Sequence, residues 1–332
     1  MEMIRLGRSG LTVSRICLGT MTFGAQADAA ASSTIMDIAA ERGVNFIDTA
    51  NAYPLPPSPE TMGKSEEIVG VWLKGKRERI ILATKGNNVI GPGPNESGNS
   101  RTHLIRALDD SLRRLQTDYV DIYYLHHPDP QTPLDEAIET LDDMRTAGKI
   151  RYAAVSNMPA WQLSYWSCWS AQHDRARFAC VQPRYNMLYR AIESELVPAA
   201  AACDVAVVIY NPLAAGMLTG KYKPGVKPAE GRFSFSGPSG ERYRTRYYQD
   251  EMLRLVQELA DDVGSRGKSL THVAVRWTLD QPGIACAIVG ASKPEQIADS
   301  LGAIDIKLDD ADRKACDAIW YRLPRRRPEE DR

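Results

Sequence analysis

Ile81-Leu82-Ala83-Thr84-Lys85 and, further on, Ile122-Tyr123-Tyr124-Leu125-His126 are the stretches that decide how this chain folds. Each is an apolar run too short for a helix that stops abruptly on a polar side chain, as expected of a strand buried on both faces. Between the runs Ile80–Thr84 and Tyr119–Leu125 lies Thr102–Leu115, whose apolar residues recur at helical spacing, and after them comes Leu134–Ala147, closed by Gly148. The unit repeats in both directions. Upstream stand Ile16–Gly19, the helix Ala29–Arg42, the strand Val44–Asp48 and, after a Pro-rich loop, the helix Ser65–Leu73. Downstream stand Tyr152–Ser156, the helix Ala160–Ser170, Ala179–Gln182, the helix Ile192–Cys203, Val205–Tyr210 and finally Ala285–Val289. Eight short apolar strands alternating with helices predict an α/β fold, a closed (β/α)8 TIM barrel rather than an open sheet.

Two segments break the rhythm. Residues 3–14 read as a β-hairpin around Gly7–Gly10, placed to plug the barrel's bottom. Between the seventh and eighth strands runs a long loop with extra helix, containing the Gly/Pro/Ser-rich stretch Lys221–Gly240 and the helices Glu251–Val263 and Ser269–Leu279. A loop of that length on a barrel's C-terminal face predicts a lid or cofactor clasp. Residues 1–321 are expected to form a single domain and 322–332 a disordered tail, because the basic cluster Arg322–Arg327 is flanked by Pro324 and Pro328 and offset by Glu329–Asp331.

The 41 Lys+Arg against 42 Asp+Glu leave a net charge of -1, which supplies no field to gather nucleic acid. Apolar runs such as Val205–Tyr210 are far too short to span a bilayer, and from the charged stretch MEMIRLGRSGLTVSR no secretory leader is expected. The expected location is cytoplasmic. The 6 cysteines carry no CxxC spacing, so buried free thiols are expected and no metal site is. A homo-oligomer is compatible with the sequence but not indicated by it.

In barrels of this type the reactive groups come from the C-terminal ends of several strands. Here those ends offer Asp48, Lys85 and His126, with Tyr53 on the loop after Asp48. A phenol, with an ordinary pKa near ~10, is a poor acid at neutral pH, but an ammonium within about 4–6 Å stabilises the phenolate. Lys85 is the candidate ammonium, Asp48 the group that keeps it charged and oriented, and His126 the hydrogen-bonding partner of a substrate oxygen or of the phenol. Such a set delivers a proton to a developing alkoxide; it includes no nucleophile, so a bound nicotinamide is the natural source of electrons. Any one of these residues alone is more readily a structural strand-end group; the four together, in a chain that reads independently as a barrel, are what carries the argument.

At these residues the chain resembles the aldo-keto reductases. Phe46-Ile47-Asp48-Thr49-Ala50-Asn51-Ala52-Tyr53, Ala83-Thr84-Lys85 and Tyr124-Leu125-His126-His127-Pro128-Asp129 match that family's aspartate-to-tyrosine, lysine and histidine segments, within a likeness running from about Ile4 to Leu308. The resemblance implies catalytic Asp48, Tyr53, Lys85 and His126, with His127 the less favoured of the adjacent pair. For the cofactor it implies Gly19-Thr20-Met21 and Asp48 near the nicotinamide, Ser156, Asn157 and Gln182 on its carboxamide, and Tyr210 stacked on its ring. It further implies the loop Asn211-Pro212-Leu213-Ala214, with Gly216, crossing the pyrophosphate, and Lys221 and Arg232 as phosphate partners. Gly290, Ser292 and Lys293 open a helix whose N-terminus suits an anion, and Lys293 is placed for a 2′-phosphate, so NADP(H) is the expected cofactor. Gln296, Asp299 and Ser300 fall at the adenine end, where Ser300 departs from the asparagine that the family more often shows.

The implied activity is reversible hydride transfer between NADPH and an aldehyde, ketone or alcohol. The cofactor segments also resemble those of potassium-channel β subunits, which makes a cofactor-binding regulatory barrel the alternative. A barrel lyase with a Schiff base on Lys85 is a further reading, and it has no need of Ser156, Asn157, Gln182 or Tyr210.

Overall fold

The computed structural model describes residues 1–226 and 228–324. They fall into two compact units: the first comprises Met1–Pro183, Ile192–Ile209 and Gly283–Ala298, and the second Arg184–Ala191, Tyr210–Pro282 and the described part of the segment from Asp299 on.

The first unit opens with an antiparallel hairpin, β1 (Met3–Arg5) and β2 (Thr12–Ser14), in the register Met3 to Ser14 and Arg5 to Thr12. Eight strands follow: β3 (Ile16–Gly19), β4 (Phe46–Asp48), β5 (Ile81–Gly86), β6 (Val120–Leu125), β7 (Ile150–Ser156), β8 (Phe178–Gln182), β9 (Ala206–Tyr210) and β10 (Ile284–Gly290). They close into a barrel in the order β10-β3-β4-β5-β6-β7-β8-β9, and the neighbouring pairs from β10 through β9 are parallel. The expected (β/α)8 barrel is therefore present. Its strands lack polar alternation because both faces are covered: every residue of β6 is buried, as is all of β5 after Ile81.

The hairpin lies at the strands' N-terminal ends, as expected. Arg15 donates through Nε to the Ala285 carbonyl at 3.2 Å and through Nη2 to that of Ile284 at 2.9 Å, holding the start of β10. Gly7, with φ 56°, turns so close to β8 and β9 that an added Cβ would lie 2.7 Å from the Asp204 carbonyl oxygen and 2.8 Å from that of Ala179. Only glycine combines that backbone conformation with that approach.

Helices α1 (Ala29–Glu41), α2 (Lys64–Trp72), α3 (Arg101–Leu115), α4 (Leu134–Thr146), α5 (Ala160–Gln172) and α6 (Leu196–Ala202) return the chain between strands. In α3 the Ser100 hydroxyl caps the N-terminus, and Leu104, Ala107, Leu108, Ser111, Leu112 and Leu115 form the buried stripe. The expected helix Ile192–Cys203 is shorter than its apolar spacing suggested, because Ala191–Glu193 closes into a 3-10 turn first. In α5 Trp166 is buried, while Trp161 is exposed. Cys17, Cys180, Cys286 and Cys316 are buried free thiols as expected, but Cys168 is exposed and Cys203 half-buried.

The second unit carries α7 (Gly237–Tyr247), α8 (Asp250–Ser265), α9 (Leu270–Asp280) and α11 (Asp310–Arg322); α10 (Pro294–Leu301) begins in the first unit. Helix α7 corrects the reading of its segment as loop, since Pro238 falls in the first turn, where a missing N–H costs nothing. Helix α11 is capped by Asp309 and Asp312 in a reciprocal box, and Lys268 and Arg266, beyond the end of α8, pair with those same carboxylates. Arg322 closes α11 and pairs with Glu258 at 2.5 Å; the expected tail from residue 325 onward lies outside the described residues.

Candidate active site

Strand ends deliver the four expected residues to one place. Asp48 closes β4, in register with Gly19 of β3 and Ala83 of β5. Lys85 lies one residue before the end of β5 with no exposed surface, and His126 follows β6 directly, its backbone N–H donating to the Gly86 carbonyl at 2.9 Å. Tyr53 is fixed after β4 by its N–H on the Ala50 carbonyl, 3.1 Å, and by the Gly63 N–H on its own carbonyl, 2.9 Å.

The Lys85 ammonium has three protons and three acceptors. It donates to Asp48 Oδ1, to the Thr49 carbonyl at 2.8 Å and to the Tyr53 hydroxyl oxygen at 3.5 Å. The second Asp48 oxygen accepts from Gln182 Nε2 at 2.8 Å. Burial works against a charged Lys85, but the carboxylate of Asp48 and the phenol of Tyr53 outweigh it and hold the ammonium above the ordinary lysine value. Burial lifts the Asp48 carboxyl above its usual range against the opposing pull of Lys85 and Gln182.

His126 is held well below the ordinary histidine value by burial first, then by the charges of Lys85 and His127, so the ring is neutral at physiological pH. The Tyr53 ring meets it edge-on, 6.0 Å between centroids, and His127 stacks parallel to it at 4.8 Å. Asn88 Nδ2 lies 2.6 Å from His126 Nδ1. Sequence reasoning missed Asn88, as it missed the Thr49 carbonyl and Asn99, whose Nδ2 donates to the His127 carbonyl at 3.1 Å. Loop asparagines carry no pattern that marks such contacts in advance.

Beside this cluster, Ser156 Oγ donates to the Gln182 carbonyl at 2.9 Å, and Asn157, at φ 56°, donates through Nδ2 to the His126 carbonyl at 3.0 Å. Gln182 is buried and commits its NH2 to Asp48, which leaves Oε1 as an acceptor. Gln182 Oε1 is thus an acceptor that suits the NH2 of a planar carboxamide. Thr20 is buried and donates through N and Oγ1 to the Asp48 carbonyl at 3.0 and 3.1 Å, while Met21 is half-buried. Gly19 and Gly290 close the β3/β10 seam, where a Cβ on Gly290 would lie 3.1 Å from the Gly19 carbonyl oxygen. Ahead of α10, Ser292 N and Oγ donate to Gln296 Oε1 at 2.9 and 3.1 Å, and Lys293 is exposed.

The remaining expected cofactor residues belong to the second unit. Tyr210 is half-buried, and burial, opposed by the charges of Arg246 and Arg184, pushes its phenol up to about 12. Asn211 Oδ1 accepts from Ala215 N at 2.6 Å and from Arg232 Nη1 at 3.2 Å. Pro212 and Ala214 are buried, Leu213 and Gly216 half-buried, and the Lys221 ammonium lies 5.0 Å from the centre of the Tyr222 ring. Asp299 is exposed and meets His272 at 2.9 Å; Ser300 is buried.

The sequence model described as Aldo/keto reductase family matches residues 15–321, a span that takes in the barrel and the buried lysine at its rim. The chain belongs to the aldo/keto reductase family. This aldo/keto reductase is 36% identical over 320 residues to "Uncharacterized oxidoreductase YrpG" of Bacillus subtilis (strain 168), with 93% of each chain covered. It is 35% identical over 312 residues to "Aldo-keto reductase YhdN" of the same organism, covering 90% of this chain and 87% of the relative. It is also 34% identical over 316 residues to "Probable voltage-gated potassium channel subunit beta" of Oryza sativa subsp. japonica, with 92% of each covered. The protein is thus an oxidoreductase of a family that uses NAD(P)H and acts on small carbonyl compounds. Among the described residues no helix is long and apolar enough to cross a membrane, and no cluster of metal-ligating side chains occurs.

Proposed function

We propose that this aldo/keto reductase is an NADPH-dependent oxidoreductase that interconverts a carbonyl and an alcohol with Tyr53 as general acid and base. The observation that carries this reading is the Lys85 ammonium donating to the Tyr53 hydroxyl while its other protons rest on Asp48 and the Thr49 carbonyl. In reduction, a nicotinamide held by the residues assigned below would supply the hydride that the carbonyl carbon takes up. Tyr53 gives its proton to the oxygen, and the phenolate left behind faces Lys85. His126, neutral, hydrogen-bonds the same oxygen and fixes where the proton arrives. Oxidation runs the same proton path backwards, with Tyr53 as base.

For the cofactor, Gln182, Ser156 and Asn157 are assigned to the carboxamide, with Gly19, Thr20, Met21 and Asp48 beside the nicotinamide. Gly290 and Ser292 are assigned to the anion site at the start of the helix, Lys293 to the 2′-phosphate, and Gln296, Asp299 and Ser300 to the adenine end. In the second unit, Tyr210 is assigned to the ring, and Asn211, Pro212, Leu213, Ala214, Gly216, Lys221 and Arg232 to the pyrophosphate. Residues 1–321 are read as one functional domain. The buried free thiols support a reducing, cytoplasmic setting.

The likeness to a protein named as a potassium channel β subunit favours a second reading, a barrel that binds cofactor to regulate a partner. A Schiff base on Lys85 is disfavoured, because it needs a neutral amine and here all three ammonium protons are engaged. Tyr53→Phe tests the assignment: turnover of aldehydes and ketones falls about 10²-fold or more, while NADPH binding, followed by fluorescence titration, stays within about twofold. Near-normal turnover by the variant refutes the acid role. NADPH binding by the wild type without consumption by any reactive carbonyl favours the regulatory barrel.

A further inference from the structure

We propose that Asn88 is a positioning residue that holds His126 as the Nε2–H tautomer, so that the imidazole presents a hydrogen-bond donor to the oxygen of the carbonyl substrate. The inference rests on the role given to His126 above.

A neutral imidazole carries one N–H and one bare nitrogen, and the partner of either nitrogen decides which is which. Asn88 places its amide nitrogen 2.6 Å from His126 Nδ1. An amide NH2 can only donate, so Nδ1 accepts and the proton resides on Nε2. Double protonation offers no escape: burial, the Lys85 ammonium and His127 all disfavour the imidazolium. The groups facing the ring are Lys85 of β5, Tyr53 of the loop after β4 and His127, its own neighbour in the chain.

The ring has little freedom to turn away from Asn88. His127 stacks on it with planes 7° apart, and the Tyr53 ring stands at 78° to it. Its backbone is pinned at both polar atoms, by the N–H donation to Gly86 and by the Asn157 amide on its carbonyl. With the plane set, a contact at Nδ1 is what selects the tautomer. A donor aimed at the substrate oxygen strengthens as negative charge develops there, whereas a bare Nε2 would repel it.

The test begins with the intact wild-type protein labelled with 15N in its 5 histidines, the His126 resonances being identified by their loss in His126→Gln. At pH 7 and without substrate, the expected spectrum has a bare Nδ1 and a protonated Nε2. In Asn88→Asp the new carboxylate can only accept, so Nδ1 gains a proton; kcat falls about 10²-fold, KM changes less than about threefold, and the acid limb of the pH profile moves upward. Asn88→Ala gives mixed tautomers and a smaller loss of kcat, about tenfold. Equal losses in both variants with the tautomer unchanged would mean that Asn88 merely supports the loop, and overturn the proposal. Should the variants fail to fold, the wild-type spectrum decides alone, because a protonated Nδ1 overturns the assignment in an otherwise active protein. A protonated Nε2 in a protein that reduces no carbonyl instead sinks the oxidoreductase reading and leaves the Asn88 contact standing.

Discussion

Replacing Lys85 by Met removes a charge while keeping most of the side chain's bulk, and leaves the Asp48 carboxylate buried with Gln182 alone. Removing one partner of a fully buried ion pair costs about 3–5 kcal/mol, because the remaining charge has neither water nor a counter-ion. Burial already holds the Asp48 carboxyl above its ordinary value in the presence of Lys85. Without the ammonium its affinity for a proton rises further. A carboxyl whose proton is bound more tightly in the folded than in the unfolded state stabilises the fold below its unfolded pKa of about 3.9, and that contribution is lost as pH rises through the folded value. The deficit of Lys85→Met is therefore largest at pH 8 and narrows toward pH 5. Urea unfolding followed by circular dichroism at a series of pH values measures it. Adding Asp48→Asn to the variant removes the buried charge and brings the loss back to about 1–3 kcal/mol, the cost of imperfectly paired neutral groups. A deficit below about 1 kcal/mol, or one that does not change with pH, would refute the claim that Lys85 is what makes a buried Asp48 tolerable.

Lys293→Ala is expected to raise the KM for NADPH about tenfold or more, the effect of losing roughly 1.4 kcal/mol, while the KM for NADH stays nearly constant; equal effects on both cofactors would remove Lys293 from the 2′-phosphate. Gly7→Ala is expected to lower stability by about 1–3 kcal/mol, because the residue holds φ 56° and its new Cβ would meet the Asp204 carbonyl oxygen at 2.7 Å. A thermal melt identical to that of the wild type would mean that the hairpin shifts off the barrel floor freely.

The barrel was legible because its strands are buried on both faces: runs such as Ile81–Thr84 and Ile122–Leu125 carry no charged residue before the rim, and the rim is where Lys85 and His126 appear. Asp48, Lys85 and His126 were accessible to sequence reasoning for the same reason, since a charged or polar group directly after such a run has only the mouth of the barrel to occupy, and Tyr53 followed from its place on the loop after Asp48. Helix α7 was not accessible. Its opening Gly237-Pro238-Ser239-Gly240 spells a turn, and only the backbone shows that the proline sits in a first turn and that Gly240 has the Phe235 carbonyl against its Cα. Helix α6 was over-extended because apolar spacing does not reveal that Ala191–Glu193 forms a tighter turn ahead of it. Asn88 was invisible for a different reason: what it touches depends on the course of the loop after β5, which local propensity does not determine.

In the ring of eight strands β4 and β8 stand four places apart in either direction, so the hydrogen bond from Gln182 to Asp48 crosses the diameter of the barrel. The aspartate thus takes one contact from its immediate neighbour β5 and one from the antipode. Chimaeras that splice the front half of this chain to the rear half of a relative can preserve every strand pairing and still leave this carboxylate mismatched. Parents for such recombination are best chosen by the identity of the residue facing Asp48, ahead of overall similarity.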